Sequence, residues 1–369
     1  MKEKKMSNNL NILVEFHILQ NHAASNLNRD DTGSVKDVIF GGIPRARISS
    51  QSLKRAIRKS DVLYEYLEKE KLGLRTKYLP EKVKEGLIEK GVSEKEVKEF
   101  TDLLMKIGGG NGEVKDEHKM TSQLIFLSEE NIKTIVDGYS DLKGAKDLAV
   151  AIRDLIEAKC KVPVDVALFG RMTTNQPISD INACCQVAHA FSVNRHTKEF
   201  DYFTAVDDLS VNYSNDPGAG HLGETEFTSA CFYKYISVDY SSLVDMMKGN
   251  ADLAKSALCG LLKAASFSNP SGKQNSFASH TLPHFIGVEI KNKKIPVNYC
   301  NAFVEPVIKG NWLEESVAKI AKHAVEMRAA YSLPVLDKAV FKTTEQGNDF
   351  GENKKTINDL EAWLKTKLS

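Results

Sequence analysis

The chain has 369 residues, of which 42% are hydrophobic and 27% are charged. These values are ordinary for a folded globular protein and exclude wholesale disorder and fibrous repeats. The 50 lysines and arginines almost cancel the 49 acidic residues, leaving a net charge of +1. A generally basic way of holding nucleic acid is thereby excluded, so any anion site must come from charge concentrated on one surface.

The first predicted element is a strand at residues 12–19, where apolar and polar side chains alternate. A turn-rich loop follows it. Ser49 or Ser50 then caps a short helix that turns Leu53 and Ile57 inward. The apolar stretch of the first strand is too short for a signal peptide or a membrane span, so we expect a cytoplasmic protein that does not bind a membrane.

Residues 61–160 are dense in charge and poor in β-branched runs, and they predict a helical insertion. Further strands are predicted at 163–171, 181–193, 226–238 and 283–290, and further helices at 250–267, 313–331 and 357–367. The stretch between the second and third of these strands resembles the tip of an extended hairpin. The order of elements predicts an α+β fold with an RRM-like (ferredoxin-like) domain that is interrupted twice.

Residues 40–60, "FGGIPRARISSQSLKRAIRKS", contain six basic side chains and no acidic one. The Gly-Gly pair lets a ligand approach the backbone closely, and a Ser-rich helix N-terminus suits a phosphate. Charge for such a site would come from Arg45, Arg47, Lys54, Arg55 and Arg58. Composition leaves a second interpretation open, in which these residues form the solvated face of an amphipathic helix.

Catalytic motifs are absent: there is no H-E-x-x-H, no G-x-S-x-G and no complete P-loop. Asp30 and Asp31 would suit Mg²⁺ beside a phosphodiester, although adjacent aspartates in a loop usually form turns. The six cysteines lack C-x-x-C and zinc-finger spacing, which indicates reduced thiols. We expect no catalysis, no metal and no cofactor.

Several segments together resemble the CasC family, the backbone subunit of type I-E CRISPR Cascade surveillance complexes. The longest is "SNLNRDDTGSVKDVIFGGIPRARISSQSLKRAIRKS". The others are "DVALFGRM" (165–172), "DYFTAVDDL" (201–209), "GAGHLGETEFTSACFYKY" (218–235) and, more loosely, "PSGKQNSFA" (270–278). The resemblance implies an RRM-like palm over residues 8–60 and 161–369, helical fingers over 61–160, and a thumb hairpin over 194–226.

The same resemblance implies a non-catalytic subunit for antiviral defence that forms helical oligomers with other copies of itself along CRISPR guide RNA. The exposed guide bases would pair with target DNA beside other Cascade subunits. Carried over to this chain, the backbone contacts of the family are Arg29, Lys36, Ser49, Gln51, Lys54, Arg55 and Arg58. Met172 corresponds to a wedge against kinked bases, Tyr202, Phe203 and Thr204 to thumb residues over the kink, and Lys273 to a weaker match.

Two other functions remain open at this point. One is a metal-dependent ribonuclease, because backbone subunits of related type III effectors cut target RNA with an acidic residue after the first strand, and Asp30 and Asp31 occupy such a loop. The other is a free-standing protein that binds single-stranded RNA. Cleavage of complementary RNA in the presence of Mg²⁺ separates the first of these from the non-catalytic function.

Overall fold

The structure is a computed structural model that describes residues 11–68, 72–107, 110–172, 179–205, 221–308 and 311–369. The strands are β1 (Leu13–Ser25), β2 (Asp37–Phe40), β3 (Ile43–Ile48), β4 (Gly73–Thr76), β5 (Glu113–Lys115), β6 (His118–Met120), β7 (Ile125–Ser128), β8 (Cys185–Val187), β9 (Ala190–Ser192), β10 (Glu199–Ala205), β11 (His221–Asp239), β12 (Phe285–Lys291), β13 (Val335–Lys342) and β14 (Glu352–Lys354).

The helices are α1 (Ser50–Arg58), α2 (Asp61–Tyr66), α3 (Leu79–Glu89), α4 (Glu94–Leu104), α5 (Glu129–Asp137), α6 (Tyr139–Leu142), α7 (Leu148–Lys159), α8 (Val164–Phe169), α9 (Tyr240–Met246), α10 (Ala251–Phe267), α11 (Gln274–Phe277), α12 (Trp312–Ala330) and α13 (Ile357–Lys367). Short 3₁₀ helices lie at Tyr299–Phe303 and Asn348–Phe350. The predicted helices at 250–267, 313–331 and 357–367 are confirmed as α10, α12 and α13. Among the described helices, none is both long enough and apolar enough to cross a bilayer.

The chain divides into two compact units. The first unit comprises residues 1–60, 187–237 and 261–369, and the second comprises 61–186 and 238–260. The first unit is built on a large mixed sheet with the strand order β14-β13-β12-β1-β11-β9-β3-β2. β1 runs antiparallel to β12, from Leu13 opposite Lys291 to Leu19 opposite Phe285, whereas β13 and β14 are parallel. The predicted mixture of helices and sheet is therefore confirmed.

Helices cover both faces of the β1–β11 region. On one face, Leu53 and Ile57 of α1 line a small cavity together with Ile236 of β11 and Ala265 of α10. On the other face, a second apolar cluster joins the sheet to α12 and to the two 3₁₀ helices. Its fully buried members include Leu19, Tyr233, Phe285, Tyr299, Phe303, Val317, Ile320 and Phe350.

Ionised groups lie inside this second cluster. Lys291 is paired with Glu15 and lies 3.8 Å from Glu289, and Arg328 lies 2.7 Å from Glu289. The Tyr299 hydroxyl also donates to Glu289, at 2.9 Å. The two acids and two bases neutralise one another, and removing any one of them would leave an unpaired buried charge.

The second unit has an aliphatic core formed mainly by α3, α4, α5 and α7. Amphipathic spacing explains it: α4 buries Val97, Phe100 and Leu104 on one side. Two small antiparallel ribbons, β4–β7 and β5–β6, belong to the same unit.

The predicted strand at 163–171 is wrong, because residues 164–169 form helix α8. A short apolar run does not distinguish a buried helix from a buried strand. Pro163 stands at the helix start, where its missing N–H costs nothing. Buried Asp165 accepts a hydrogen bond from the Gly73 N–H at 2.7 Å, and Gly170, with φ of +79°, ends the helix.

Candidate nucleic-acid interface

The side of β1 that carries His17 is covered and does not present its rings to bases. The ring of His17 lies 4.5 Å from that of Tyr299 and 5.8 Å from that of Phe350, and all three rings belong to the covered side of β1. An RRM ordinarily stacks bases on exposed sheet aromatics. An RNA on the first unit would therefore need a surface other than this side of β1.

Arg45 is not available to a phosphate, contrary to the sequence-based expectation. Its side chain is completely buried and donates to the carbonyl oxygens of Ser192 (3.0 Å), Val193 (2.9 Å), Phe303 (2.9 Å) and Val304 (3.1 Å). Five donors in a rigid fork suit this bridging role. Arg45 therefore joins the end of β9 to the end of the 3₁₀ helix at Tyr299–Phe303.

The Gly41-Gly42 pair also has an internal role. It is the two-residue turn between β2 and β3, and both glycines have positive φ, +62° and +73°, as a type I′ hairpin requires. A Cβ on Gly41 would lie 2.3 Å from the carbonyl oxygen of Val304. The close approach that Gly41 permits is thus to the protein's own backbone, whereas no atom lies within 4 Å of a Cβ placed on Gly42. An approach of a ligand to Gly42 stays a prediction.

The N-terminus of α1 is held by three side chains. Ser49 is the N-cap, and its hydroxyl accepts from the Ser52 N–H at 3.3 Å. The Asn28 side chain accepts from the Ser49 N–H at 2.8 Å. His189 Nδ1 accepts from the Ser50 N–H at 3.1 Å. These bonds place the first turn of α1 directly beside the loop that follows β1.

His189 is a residue that the sequence reasoning did not select for this site. It is exposed, and its Nδ1 lies 3.2 Å from the Arg47 guanidinium. Burial lowers the pKa of His189, and the neighbouring Arg47 and Lys36 lower it further. Since Nδ1 accepts two N–H groups, the proton of the neutral ring belongs on Nε2. Nothing in the sequence connected His189 with Lys36 and Arg47, because these residues are far apart along the chain and meet only when the sheet forms.

The loop after β1 presents Arg29 and Lys36. Arg29 is exposed and Lys36 half-buried, and a bridge between Arg29 and Val35 closes the loop. Asp30 Oδ1 accepts from the N–H and hydroxyl of Thr32 at 2.9 and 2.8 Å and from the Ser34 N–H at 2.9 Å. These bonds, the Thr32 hydroxyl first, lower the pKa of Asp30. Asp30 thus has the turn-forming role.

A cleft of about 420 Å³ lies beside this loop, lined by Leu27, Asn28, Arg29, Asp30, Asp31, Gly33, Ser52, Pro270, Ser271 and Gly272. Gly272 approaches so closely that a Cβ on it would lie 2.4 Å from the carbonyl oxygen of Leu27. The next residue, Lys273, is half-buried in the left-handed region with φ of +51°. The fold thereby brings together the N-terminal motif and the weaker motif at 270–278.

The remaining α1 residues lie on its outer side. Leu53 and Ile57 are buried, while Gln51 and Arg55 are exposed. Lys54 and Arg58, one turn apart, are half-buried. We call Arg29, Lys36, Arg47, His189 and the outer side of α1 the α1 surface. It contains all seven predicted backbone contacts of the N-terminal motif, although Ser49 is largely buried as the helix cap.

The predicted thumb residues lie on an exposed hairpin, β10 paired with β11. Opposed residues share a face, so Tyr202 and Thr204 lie with Glu224 and Leu222 on one face, and Phe203 lies with Gly223 on the other. Tyr202 is 65% exposed. A Cβ on Gly223 would lie 2.3 Å from the Phe203 ring, so this ring covers the glycine. The three residues therefore do not share one contact face.

Met172 belongs to the second unit and is 86% exposed, unlike a methionine that fills a core. It follows an isolated bridge between Arg171 and Ile181. Residues 173–175 and most of the predicted hairpin tip, 210–222, lie outside the described residues, and the chain is described again from residue 221. Contacts of Met172 with bases stay a prediction.

Among the described residues, one group combines metal-ligand types, namely Glu15, His17 and Glu289. Lys291 and Arg328 already pair with its carboxylates. Burial lowers the pKa of His17 far below 6.5, and Lys291 and Arg328 act in the same direction. The arrangement is that of a charge-balanced core. Asp30 and Asp31 are not part of such a group.

Comparison with known proteins places this geometry in context. The chain matches the Cas family of CT1975-like proteins over residues 14–364. It resembles a chain described as "CRISPR RNA-guided surveillance complex, pre-nicking" with a TM-score of 0.83 and 27% identity, covering 97% of this chain and 100% of that one. No curated protein sequence matches.

A second structure, described as "CRISPR RNA-guided surveillance complex", shares the fold with a TM-score of 0.63 and 23% identity, covering 96% of this chain and 99% of that one. At this identity the likeness concerns the fold alone. The family match, in contrast, covers nearly the whole chain. The chain therefore belongs to the Cas family of CT1975-like proteins.

Proposed function

We propose that the chain is a non-catalytic subunit of a CRISPR RNA-guided surveillance complex that grips guide RNA along its backbone. The single observation that carries this proposal is the α1 surface, where Arg29, Lys36 and the outer side of α1 meet although the chain as a whole is nearly neutral. Cationic side chains along one surface suit the phosphates of a single strand. Pairing between the guide and target DNA would determine the sequence specificity.

Within this function, we assign the chain to the CasC subunit of type I-E Cascade, because the sequences of its motifs resemble that family. In its support, β12, β1, β11 and β9 are neighbours in that order, with α1 after the first strand and α10 before the last. This is the order of an RRM-like palm. The covered side of β1 favours binding at the α1 surface instead, where the palm would hold the RNA without reading its bases.

Assembly with further copies follows from the same proposal. A hairpin on one copy that reaches the next makes a heterologous contact, which generates an open helix when the rotation does not close. Exposed Tyr202, and Met172 in the second unit, would contact bases at each kink of the guide. The complex would act in the cytoplasm, in antiviral defence, beside other Cascade subunits.

The absence of catalysis is part of the proposal. One carboxylate oxygen of Asp30 accepts three hydrogen bonds within its own loop. This favours a turn-forming role over metal binding. Incubating the assembled protein with guide RNA, complementary RNA and Mg²⁺ tests this part. Cleavage that disappears in an Asp30→Ala, Asp31→Ala variant would establish the ribonuclease instead.

The binding site is tested with Lys54→Ala and Arg58→Ala combined. Leu53 and Ile57 stay packed and alanine favours the helix, so folding should change little. Each lost phosphate contact should reduce the slope of log K against log[salt] by about 0.7 in magnitude, and the pair by about 1.4. Titration of two unrelated single-stranded RNAs at several salt concentrations measures both slope and sequence dependence.

A matched control lies in the second unit. Lys82 and Lys90, with side chains 49% and 44% exposed, are replaced by alanine in the same way. This change removes the same charge and should leave the slope unchanged. If both pairs change the slope equally, the α1 surface is not the site. If the loss appears with one RNA only, these residues read sequence.

A further inference from the structure

Two side chains tie the β10–β11 hairpin to the loop that carries Arg29 and Lys36. The Val35 N–H donates to Glu226 Oε1 at 2.9 Å. The Asn26 side-chain amide donates to the carbonyl oxygen of Glu226 at 2.8 Å and to that of Gly33 at 3.3 Å. Glu226 therefore contacts the loop through both its side chain and its backbone.

The position of Glu226 is fixed by strand pairing, burial and an ion pair. It lies on β11 opposite Phe200 of β10, and its side chain is only 8% exposed. Lys198, directly before β10, lies 3.3 Å from the same carboxylate oxygen. One carboxylate thus joins the start of the first hairpin strand to the end of the loop, and the burial of this carboxylate and of Val35 shields the bond between them from water.

The other end of the loop is fixed to α1. Asn28 accepts from the N–H of the N-cap Ser49. The Lys36 N–H donates to the carbonyl oxygen of Asn28 at 3.0 Å, and the Lys36 carbonyl oxygen accepts from the Arg47 N–H at 2.7 Å. A hydrogen-bonded chain therefore runs from the hairpin through the loop to the first turn of α1.

We propose that Glu226 is a positioning residue for RNA binding: it sets the loop so that Arg29 and Lys36 lie in line with α1, and it couples that alignment to the hairpin. The inference rests on the proposed function of the α1 surface. It makes an unusual prediction about charge. Removing an acidic residue near RNA ordinarily strengthens binding, whereas removing Glu226 should weaken it.

The test compares Glu226→Ala with Glu224→Ala in the full chain, using a labelled single-stranded RNA at several salt concentrations. Both variants remove one negative charge from the same face of β11, but Glu224 is exposed. Glu226→Ala should lower affinity about tenfold, as expected for loss of a charged contact, and reduce the salt slope by up to about 1.4, or about 0.7 for each misplaced cation. Glu224→Ala should bind at least as tightly as wild type.

A conservative variant separates positioning from charge. Glu226→Gln retains an oxygen that accepts from Val35, so its affinity should lie close to that of wild type. Hydrogen exchange at the Val35 amide should speed up in Glu226→Ala and not in Glu226→Gln. If the alanine variant fails to show a cooperative melt, Glu226→Asp, which is one methylene shorter, should show the same loss of slope.

An Arg29→Ala, Lys36→Ala background decides whether the effect passes through the loop. In that background Glu226→Ala should cause no further loss of affinity. An equal further loss, or unchanged RNA binding by Glu226→Ala in the wild-type background, would overturn the inference alone. If Arg29→Ala with Lys36→Ala itself leaves affinity and slope unchanged, the proposed RNA site is wrong and the inference falls with it.

Discussion

In the first unit, Glu15, Glu289, Lys291 and Arg328 lie inside the core with their charges paired. In the second unit, aliphatic side chains fill the core, and ion pairs such as Lys82–Glu85 have exposed partners. The first unit also buries His17, His22 and His284, whereas the second contains one histidine, His118, which is exposed. Charged residues and histidines should therefore affect the free energy of unfolding more in the first unit than in the second.

This difference shows how a charged cluster should be interpreted. Carboxylates beside a histidine suggest a metal or catalytic centre, yet in the first unit each carboxylate already faces a lysine or arginine. The cluster locks β1, β12 and α12 together and closes the sheet face that an RRM leaves open. The cations of the α1 surface lie outside this core and are exposed or half-buried.

The largest expected effect comes from breaking the buried network. Lys291→Met keeps the length of the side chain and leaves Glu15 charged and unpaired, which should cost about 3–5 kcal/mol of unfolding free energy. The matched change in the second unit, Lys82→Met, removes one partner of an exposed pair and should cost less than about 1 kcal/mol. Urea unfolding of the two variants measures both values.

Equal losses in the two variants would show that the burial difference between the units has no energetic consequence. Hydrogen exchange adds a local reading, because protection should fall first in β1 and β12 for Lys291→Met. Loss of protection confined to the second unit would contradict the placement of the network.

The pH dependence of stability should also differ between the units. Burial lowers the pKa of His22 to about 3 and that of His284 to about 4, from 6.5. The unfolded chain therefore binds more protons than the folded one below pH 6.5, and the first unit loses stability as pH falls towards these folded values. Each buried histidine contributes about 1.4 kcal/mol per pH unit in that window.

His284→Gln removes one of these titrating groups. Urea unfolding at several pH values should show a pH dependence that is smaller by about 1.4 kcal/mol per pH unit than in wild type. A wild-type stability that is flat between about pH 6.5 and about pH 5 would contradict the burial of neutral histidines.

Patterns of sequence predicted elements well where one periodicity dominates a long segment. Alternation identified β1, and helical spacing identified α1, α10, α12 and α13. The β2–β3 hairpin was missed although Gly41-Gly42 is a strong hairpin signal, because the pair was interpreted as a ligand-facing turn. The strand predicted at 163–171 is wrong because so short a segment carries too few repeats to distinguish the strand period from the helix period.

The roles of basic residues were harder to predict than helices and strands. Arg45 and Arg47 are two positions apart on β3, yet one is buried among carbonyl oxygens and the other is half-buried beside His189. Their environments depend on residues about 140 to 260 positions away, which no local pattern encodes. For the same reason His189 and Glu226 were not recognised before the fold brought them to the loop.

The smallest expected effect separates the two faces of the hairpin. Tyr202 is exposed beside Thr204, while the Phe203 ring covers Gly223 on the other face. Tyr202→Ala should lower RNA affinity by about 1 kcal/mol, the lower end for one stacked base, with little change in melting temperature. Phe203→Ala uncovers the glycine, so it should lower the melting temperature and affect RNA affinity less. RNA titration and thermal melting of both variants measure the two effects. Equal losses of affinity would show that the face on which a ring lies does not decide whether it contacts RNA.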